Sequence, residues 1–557
     1  MITYPVTLFS KRVGRPYPSY PVSTGKVFGI AGDNHMTYRD NLATLNAKAT
    51  IRRIPDYIIH VGDVSCGYNI NATGESQYWN LHRETRFYRR WLPQWTNGGF
   101  SQFDPQSGEE WWGDLERLSE CRFFPVFGNH DDDAQPSPPT GEASEDAIIR
   151  FNEYFDLDNA VSDGWAVTTF IGPYNTRNFI ARIGDVEIYS LNYWLSNQQP
   201  GELYTNPNLA NFRWGISYAA TSGAKWKILL THKPPYDSYL NHSDIEVGIL
   251  QHDWKALGFD MVISGHEHIH EVLYTKFQGT GENNLYIVNG LGGGYRVVLG
   301  FTEPPKDGSR YRLELSTEED KLKEFAVFLE TYQNFILVKS VLEGSLAHVF
   351  RLTKTLIPSV DLEAEQEELS ITCDGITINE NDELYYNDGD DIYKKAGATV
   401  TPITSDVTGV IGITHRGANR YSLLLSTSIM EVDLSNYSEI VEADSKELPF
   451  TGITTPASIA YAIEDEKYYI SEGKKIFICS RNDFQDSEAA TEQCDLTAIL
   501  ANSITHLFFD NETNELFACD GEKTVKLNST LTGVDSTVEN GASLFMIRNV
   551  DRKCLMI

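Results

Sequence analysis

The chain has 557 residues, 41% hydrophobic and 12% aromatic, with a net charge of −32. That length asks for roughly two to four domains, and the composition excludes global disorder. No apolar run reaches the ~18 residues of a membrane span, and the negative charge repels polyanions at long range, so an integral membrane protein and a general nucleic-acid binder are both disfavoured.

The N-terminal MITYPVTLFSKRVGRPYPSYP has no sustained apolar stretch, so a secretory signal is not expected. The expected setting is the cytoplasm or an assembled particle. Seven cysteines form no C-x-x-C pair, which argues against a disulfide scaffold. Residues 361–557 hold 36 Asp+Glu against 14 Lys+Arg, whereas all ten tryptophans fall between Trp79 and Trp254. Two differently built halves follow.

Residues 1–25 read as an extended arm, because Pro5, Pro16, Pro18 and Pro21 forbid a helix. From Lys26 apolar strands alternate with polar loops and helical stretches. VFGIAGDNH (27–35), YIIHVGDVS (57–65), FFPVFGNHD (123–131), WKILLTHKPP (226–235) and FDMVISGHEH (259–268) are each a buried strand ending in a turn. Helices are expected at 40–53, 77–92 and 109–120, and hairpins at 167–196 and 334–353. The pattern predicts an α/β domain over 26–357 with its functional groups at the strands' C-terminal ends.

Residues 358–369 (PSVDLEAEQEEL) have the composition of a solvated linker. Beyond residue 370 the texture becomes all-β. Copies of a strand–acidic turn–strand unit end near Gly389, Ser428, Gly473 and Gly521. Spacings of roughly 40–48 residues suit propeller blades, with a β-sandwich as the alternative for 370–557.

The strand ends supply Asp33-x-His35, Gly62-Asp63, Gly128-Asn129-His130-Asp131, His232 and Gly265-His266-x-His268. Asp, His and Asn are ligands that suit Mn, Fe or Zn. One carboxylate can bridge two such ions about 3.5–4 Å apart, a geometry that activates water and clamps a phosphoryl group. Glycines beside the ligands permit the sharp turns that aim them inward.

These ordered blocks resemble the calcineurin-like metallophosphoesterase superfamily. FFPVFGNHD, KWKILLTHKPPYDS, FDMVISGHEH and LYIVNGLGGG are similar to its acid-phosphatase branch. The resemblance covers about 26–353 and implies a four-layer α/β/β/α sandwich hydrolysing phosphomonoesters or phosphodiesters at two metal ions. It implies that Asp33, His35 and His268 hold the first ion. Asn129, His232 and His266 would hold the second, with Asp63 bridging. His130 would give a proton to the leaving group or stabilise the phosphoryl oxygens, oriented by Asp131. The purple members carry glycine in place of His35 and a tyrosine ligand where this chain has Cys66. No tyrosinate-to-iron absorption is therefore expected, and Cys66 reads better as a packed thiol than as a ligand.

Other readings of the same stretches are weaker. His266–His270 formally matches H-E-x-x-H, but a zincin needs that motif on a helix and here a strand precedes it. Gly290–Gly294 lacks the Lys-[ST] of a P-loop and reads as a tight turn. Trp79, His82, Phe87 and Trp91 fall near helical spacing and suit packing, while 93–110, with Trp95 and Phe100, is a loop able to overhang the site. Arg83, Arg86, Arg89 and Arg90 form one basic face, too little for a nuclease groove. The loose histidines, His60, His82, His242 and His270, each read as ordinary hydrogen-bonded residues. The alternative to an enzyme is a structural or interaction component of a larger assembly, such as a virus particle, that keeps a phosphoesterase fold. On either reading the acidic C-terminal domain is expected to meet a protein partner.

Overall fold

The computed structural model describes residues 25–33, 50, 55–63, 122–131, 151–152, 157, 160–162, 166–171, 177–191, 210–236, 251–276, 283–291, 310–315, 325–354, 366–369, 371–379, 381–417, 420–434, 439–440, 446–481, 488–528, 530–531, 534–539, 545–547 and 554–556. The N-terminal arm, the helices expected at 77–92 and 109–120 and nearly all of 40–53 lie outside them. So do His35, Cys66, the arginine face and the 93–110 loop.

By packing the chain divides into two compact units. Val27–Leu329 and Ser340–Glu343 belong to the first, and Glu330–Lys339 and Gly344–Ile557 to the second. The second unit thus begins before the acidic stretch 358–369.

The strands up to residue 353 are β1 (Lys26–Ala31), β2 (Tyr57–His60), β3 (Arg122–Pro125), β4 (Thr168–Ile171), β5 (Arg177–Ile183), β6 (Val186–Ser190), β7 (Trp226–Leu230), β8 (Met261–Ser264), β9 (His270–Lys276), β10 (Asn283–Asn289), β11 (Arg310–Leu315), β12 (Phe325–Thr331), β13 (Phe335–Leu342) and β14 (Ser345–Thr353). They form a six-stranded sheet, β14-β13-β12-β1-β2-β3, and an eight-stranded sheet, β11-β9-β10-β8-β7-β6-β5-β4. β1, β2 and β3 run parallel, as do β6, β7, β8 and β10. All five expected strands are present, and both hairpin regions are strands. β1, β2, β7 and β8 are buried along their whole length, as expected of parallel strands covered on both faces, which read as continuous apolar runs.

The one complete α-helix among the described residues, α1 (Ala210–Thr221), packs Ile216 and Ala219 against Tyr189, Leu229, Val262 and Tyr286 of the eight-stranded sheet. Its last turn leaves carbonyls without intrahelical partners, and the Lys227 ammonium bonds one of them, Ala219 O, at 2.6 Å.

The second unit contains four sheets in a propeller-like arrangement, two of four antiparallel strands and two that add a short fifth strand in parallel, Glu439–Ile440 and Glu488–Ala489. Their innermost strands are Gly375–Ile378, Gly412–His415, Ser458–Ala462 and His506–Asp510, and each packs beside the next. These strands are buried throughout, whereas the outer strands Thr399–Ser405 and Thr491–Asp495 are mostly exposed. A three-stranded sheet sits between the fourth blade and the first. It joins Phe545–Ile547, Cys554–Met556 and Gln366–Glu368, the last from the stretch expected to be linker.

The sequence repeat is in register with the blades. Gly389, Gly473 and Gly521 occupy the turn between the second and third strands, each at positive φ, where glycine carries no steric penalty.

Residues 330–339 and 344–353 pack within this unit. Tyr332, Phe335 and Leu337 share one apolar cluster with Leu424, Ile429, Ile459, Tyr461 and Tyr468. The Arg351 guanidinium lies 3.7 Å over the Phe335 ring and pairs with Glu464 at 2.9 Å. The Lys339 ammonium meets Glu330 at 3.0 Å, Glu466 at 3.2 Å and the Ile463 carbonyl. Deeper in, buried Glu431 accepts from Arg481 at 2.7 and 3.1 Å and from Tyr468 Oη at 2.7 Å, with Arg416 at 3.2 Å. Burial raises its pKa, but Arg416 and Arg481 outweigh burial and hold the carboxyl well below the usual range.

Removing one partner from such a network leaves the others buried and unpaired. Glu431→Gln is therefore expected to lower stability by about 3–5 kcal/mol, read as a shifted urea midpoint at constant m-value. A change below about 1 kcal/mol would mean that water replaces the lost charge.

Candidate metal centre

Five strand ends converge. β1 leads into Gly32-Asp33, β2 into Gly62-Asp63, and β3 into a short 3-10 turn, Asn129–Asp131. β7 leads into Thr231-His232, and β8 into Gly265-His266-Glu267-His268. Three of these residues adopt left-handed backbone: Asp33 at φ 53°, Asp63 at φ 53° and His266 at φ 68°. Each directly follows a glycine.

Such a conformation costs about 1–2 kcal/mol for a residue with a side chain, so something must hold it. In each case the residue's own N–H is bonded to a neighbouring strand end. Asp33 donates to Gly62 O at 2.9 Å, Asp63 to Asp131 Oδ2 at 3.0 Å, and His266 to Asp33 Oδ2 at 2.8 Å. The glycines are needed for close approach as well. A Cβ on Gly128 would overlap the Asp63 carboxylate, and one on Gly62 would overlap the His232 ring. A Cβ on Gly290 would overlap Glu267 O and lie 2.9 Å from Asp33 Oδ2.

His232 is fully buried and is the hub. Its Nδ1 lies 2.7 Å from Val61 O. A carbonyl only accepts, so Nδ1 carries the proton. In the neutral ring Nε2 then presents a lone pair. Around it stand Asn129 Oδ1 at 2.9 Å, His266 Nδ1 at 3.2 Å and Asp63 Oδ1 at 3.3 Å. The ligand atoms of Asp63, His232 and His266 all lie within 4.8 Å of one another.

So many acceptor atoms facing one point repel unless a positive charge sits among them. A proton is one answer. Burial pushes His232 down, but Asp63, its hydrogen bond and Asp33 more than reverse this and lift it to about 9. A metal ion is another, because it could satisfy the whole set of ligand atoms at once. Mixed N and O donors without thiolate fit Mn, Fe or Zn. Beside this cluster His268 Nε2 stands 3.8 Å from Asp33 Oδ1.

The described residues therefore bring together Asp33, Asp63, Asn129, His232, His266 and His268. His35 lies outside them, as does the side chain of His130, whose backbone belongs to the 3-10 turn. Asp131 is buried, and its Oδ2 accepts from the N–H groups of both Asp63 and Gly128, the latter at 2.8 Å. It ties the two loops together, a role the sequence motif alone does not show.

His60 is fully buried beneath the site. Burial, opposed by Asp63 and assisted by His232, holds it down to about 3, so it is neutral. It accepts the Gly62 N–H at 3.3 Å. The H-E-x-x-H stretch forms a turn running into β9, not a helix, which removes the zincin reading.

Residues 26–270 match the profile of the calcineurin-like phosphoesterase family. No curated protein matches the chain. Among solved structures the chain is similar to purple acid phosphatase PPD1 from yellow lupin (Lupinus luteus) seeds, at 14% identity and a TM-score of 0.39, over 62% of this chain and 58% of that one. It thus spans less than two thirds of the lupin protein. It is also similar to GAP50, the anchor in the inner membrane complex of Plasmodium, at 16% identity and a TM-score of 0.36, over 59% and 88% of the two chains. The hemopexin fold protein CP4 from cow pea is similar at 12% identity and a TM-score of 0.22, over 30% of this chain and 92% of that one. Among the described residues no helix is long and apolar enough to cross a membrane. The stretch that matches the calcineurin-like phosphoesterase profile, residues 26–270, contains every described member of the metal-type cluster.

Proposed function

We propose that the chain is a metal-dependent phosphoesterase acting on phosphomonoesters or phosphodiesters with two ions, on a four-layer α/β/β/α catalytic domain. The observation that carries this reading is the convergence of Asp63, Asn129 and His266 on His232 Nε2, with Asp33 and His268 alongside. On this reading Asp33, His35 and His268 would hold one ion, Asn129, His232 and His266 would hold the other, and Asp63 would serve both. Ions of the Mn, Fe or Zn type supply Lewis acidity toward a phosphoryl oxygen and an activated water.

The protein's own groups do the rest. Val61 O fixes the His232 tautomer, Asp131 holds the Asp63 and Asn129 loops together, and His130 passes a proton to the leaving group. The C-terminal unit, with its acidic excess, repels free phosphate at long range and is assigned no part in the chemistry.

Three outcomes are expected. Elemental analysis should find two ions per chain in the wild type and neither in Asp63→Ala; a variant that retains one tightly bound ion would end the bridging role. His130→Ala should keep both ions and lose roughly 10²–10⁴ in turnover, the range for a general acid–base group. An aryl phosphate with a good leaving group should suffer least, and equal losses on good and poor leaving groups would remove His130 as the acid.

The third outcome is a pH dependence. His232 is raised from 6.5 to about 9 in the metal-free protein. Its contribution to folding is therefore fully present below 6.5 and lost as pH rises through about 9. Metal must displace that same proton. Apparent metal affinity should accordingly rise with pH up to about 9 and then level off, with proton release on binding at pH 7. Calorimetry in buffers of different ionisation enthalpy reads the released proton, and none released would contradict a protonated His232.

A further inference from the structure

The ligand set is divided between two sheets. β1, β2 and β3 of the six-stranded sheet lead to Asp33, Asp63 and Asn129; β7 and β8 of the eight-stranded sheet lead to His232, His266 and His268. The two sheets are separate ladders, so their relative setting at the site depends on packing and on side chains that cross between them.

Each of the three ligand-bearing strands of the first sheet gives one backbone carbonyl, near its C-terminal end, to a side-chain donor from the second. Ile30 O accepts from Asn289 Nδ2 at 2.8 Å, Val61 O from His232 Nδ1 at 2.7 Å, and Pro125 O from Ser190 Oγ at 3.3 Å. The carbonyls precede Asp33, Asp63 and Asn129 by three, two and four residues. The middle crossing is made by a ligand itself. The outer two are made by Asn289, the last residue of β10, and Ser190, the last residue of β6, both buried.

Glue between two apolar layers does not require polar side chains. Burying an amide and a hydroxyl costs desolvation that an apolar pair of the same volume avoids. A hydrogen bond adds direction, and here it fixes the height of one strand end against the opposite sheet. Asn289 is also followed by Gly290, where a Cβ would overlap Glu267 O and lie 2.9 Å from Asp33 Oδ2.

We propose that Asn289 and Ser190 are positioning residues, one for each ion. Asn289 sets Asp33 through Ile30 O, and Ser190 sets Asn129 through Pro125 O. This rests on the two-ion reading, but the crossings can be tested without metal.

The full chain is compared with Asn289→Ala, Asn289→Asp, Ser190→Ala and Ser190→Thr. Asn289→Asp keeps the shape and loses the donor; Ser190→Thr keeps the donor. In metal-free protein, hydrogen exchange should quicken at the Asp33 amide in both Asn289 variants and at the Gly128 amide in Ser190→Ala, each without effect at the other amide. In Mn²⁺ titrations, both Asn289 variants should weaken one ion about tenfold, and Ser190→Ala the other, the scale of outer-shell substitutions at metal sites. Ser190→Thr should bind like the wild type. Equal weakening of both ions in every variant, or unchanged exchange at both amides, would overturn the assignment. A wild type that binds only one ion would sink the two-ion reading, while the exchange data would still decide the crossings. If the alanine variants do not fold, Asn289→Asp carries the Asn289 half, and Ser190→Cys, close in size with a much weaker donor, carries the Ser190 half with the outcome expected of Ser190→Ala.

Discussion

The metal-type cluster depends on one ring. His232 reaches from the eight-stranded sheet to Val61 O on one side and faces Asn129, His266 and Asp63 on the other. The first bond decides which nitrogen carries the proton, and so decides that the second nitrogen presents a lone pair. Everything else at the site follows from supplying positive charge to that lone pair and its neighbours. With metal absent the fold supplies a proton. On the proposed reading the same atoms would be the metal's ligands, and folding, protonation and metal loading would be linked through one imidazole.

The strand-end turns are the other half of the constraint. Asp33, Asp63 and His266 all take left-handed backbone after a glycine. A residue in that conformation points its side chain where an extended strand would not, toward the opposite sheet. The strain is held by hydrogen bonds between the turns themselves, running from His266 to Asp33, from Asp33 to Gly62 and from Asp63 to Asp131, so moving one turn disturbs the next. Gly62, Gly128 and Gly290 leave the space in which this happens.

Much of this was legible in the sequence because it is local. A buried strand, then a glycine, then Asp or His, fixes both the turn and the ligand within a few residues. The blades were legible for a similar reason, since the acidic turn and the second glycine turn recur at blade spacing. What escaped is long-range and made by backbone. Asn289 sits in the quoted VNGLGGG, yet nothing local shows that its amide meets a carbonyl 259 positions away. Asp131 was placed beside His130 by the motif, whereas its described bonds go to two backbone N–H groups. Gln366–Glu368 reads as linker because it shows no apolar alternation, and only its pairing with Cys554–Met556 makes it a strand.

The least legible feature is where the second unit begins. β12 and β13 each carry an unbroken apolar run, and such a run looks the same whichever core receives it. Phe325–Leu329 and Ser340–Glu343 fall in the first unit, and Glu330–Lys339 in the second. The deciding residues are Lys339, whose ammonium is satisfied only by groups of the second unit, and Tyr332 and Phe335, which are buried in its apolar cluster. A buried lysine without acceptors is among the costlier things a core can contain. Cutting the chain after the hairpin would leave that ammonium with Glu330 alone and strip those rings of the apolar partners from Leu424 onward. The hairpin is therefore better understood as two strands serving two cores than as the closing edge of one, and the functional boundary at residue 270 need not coincide with a boundary of folding.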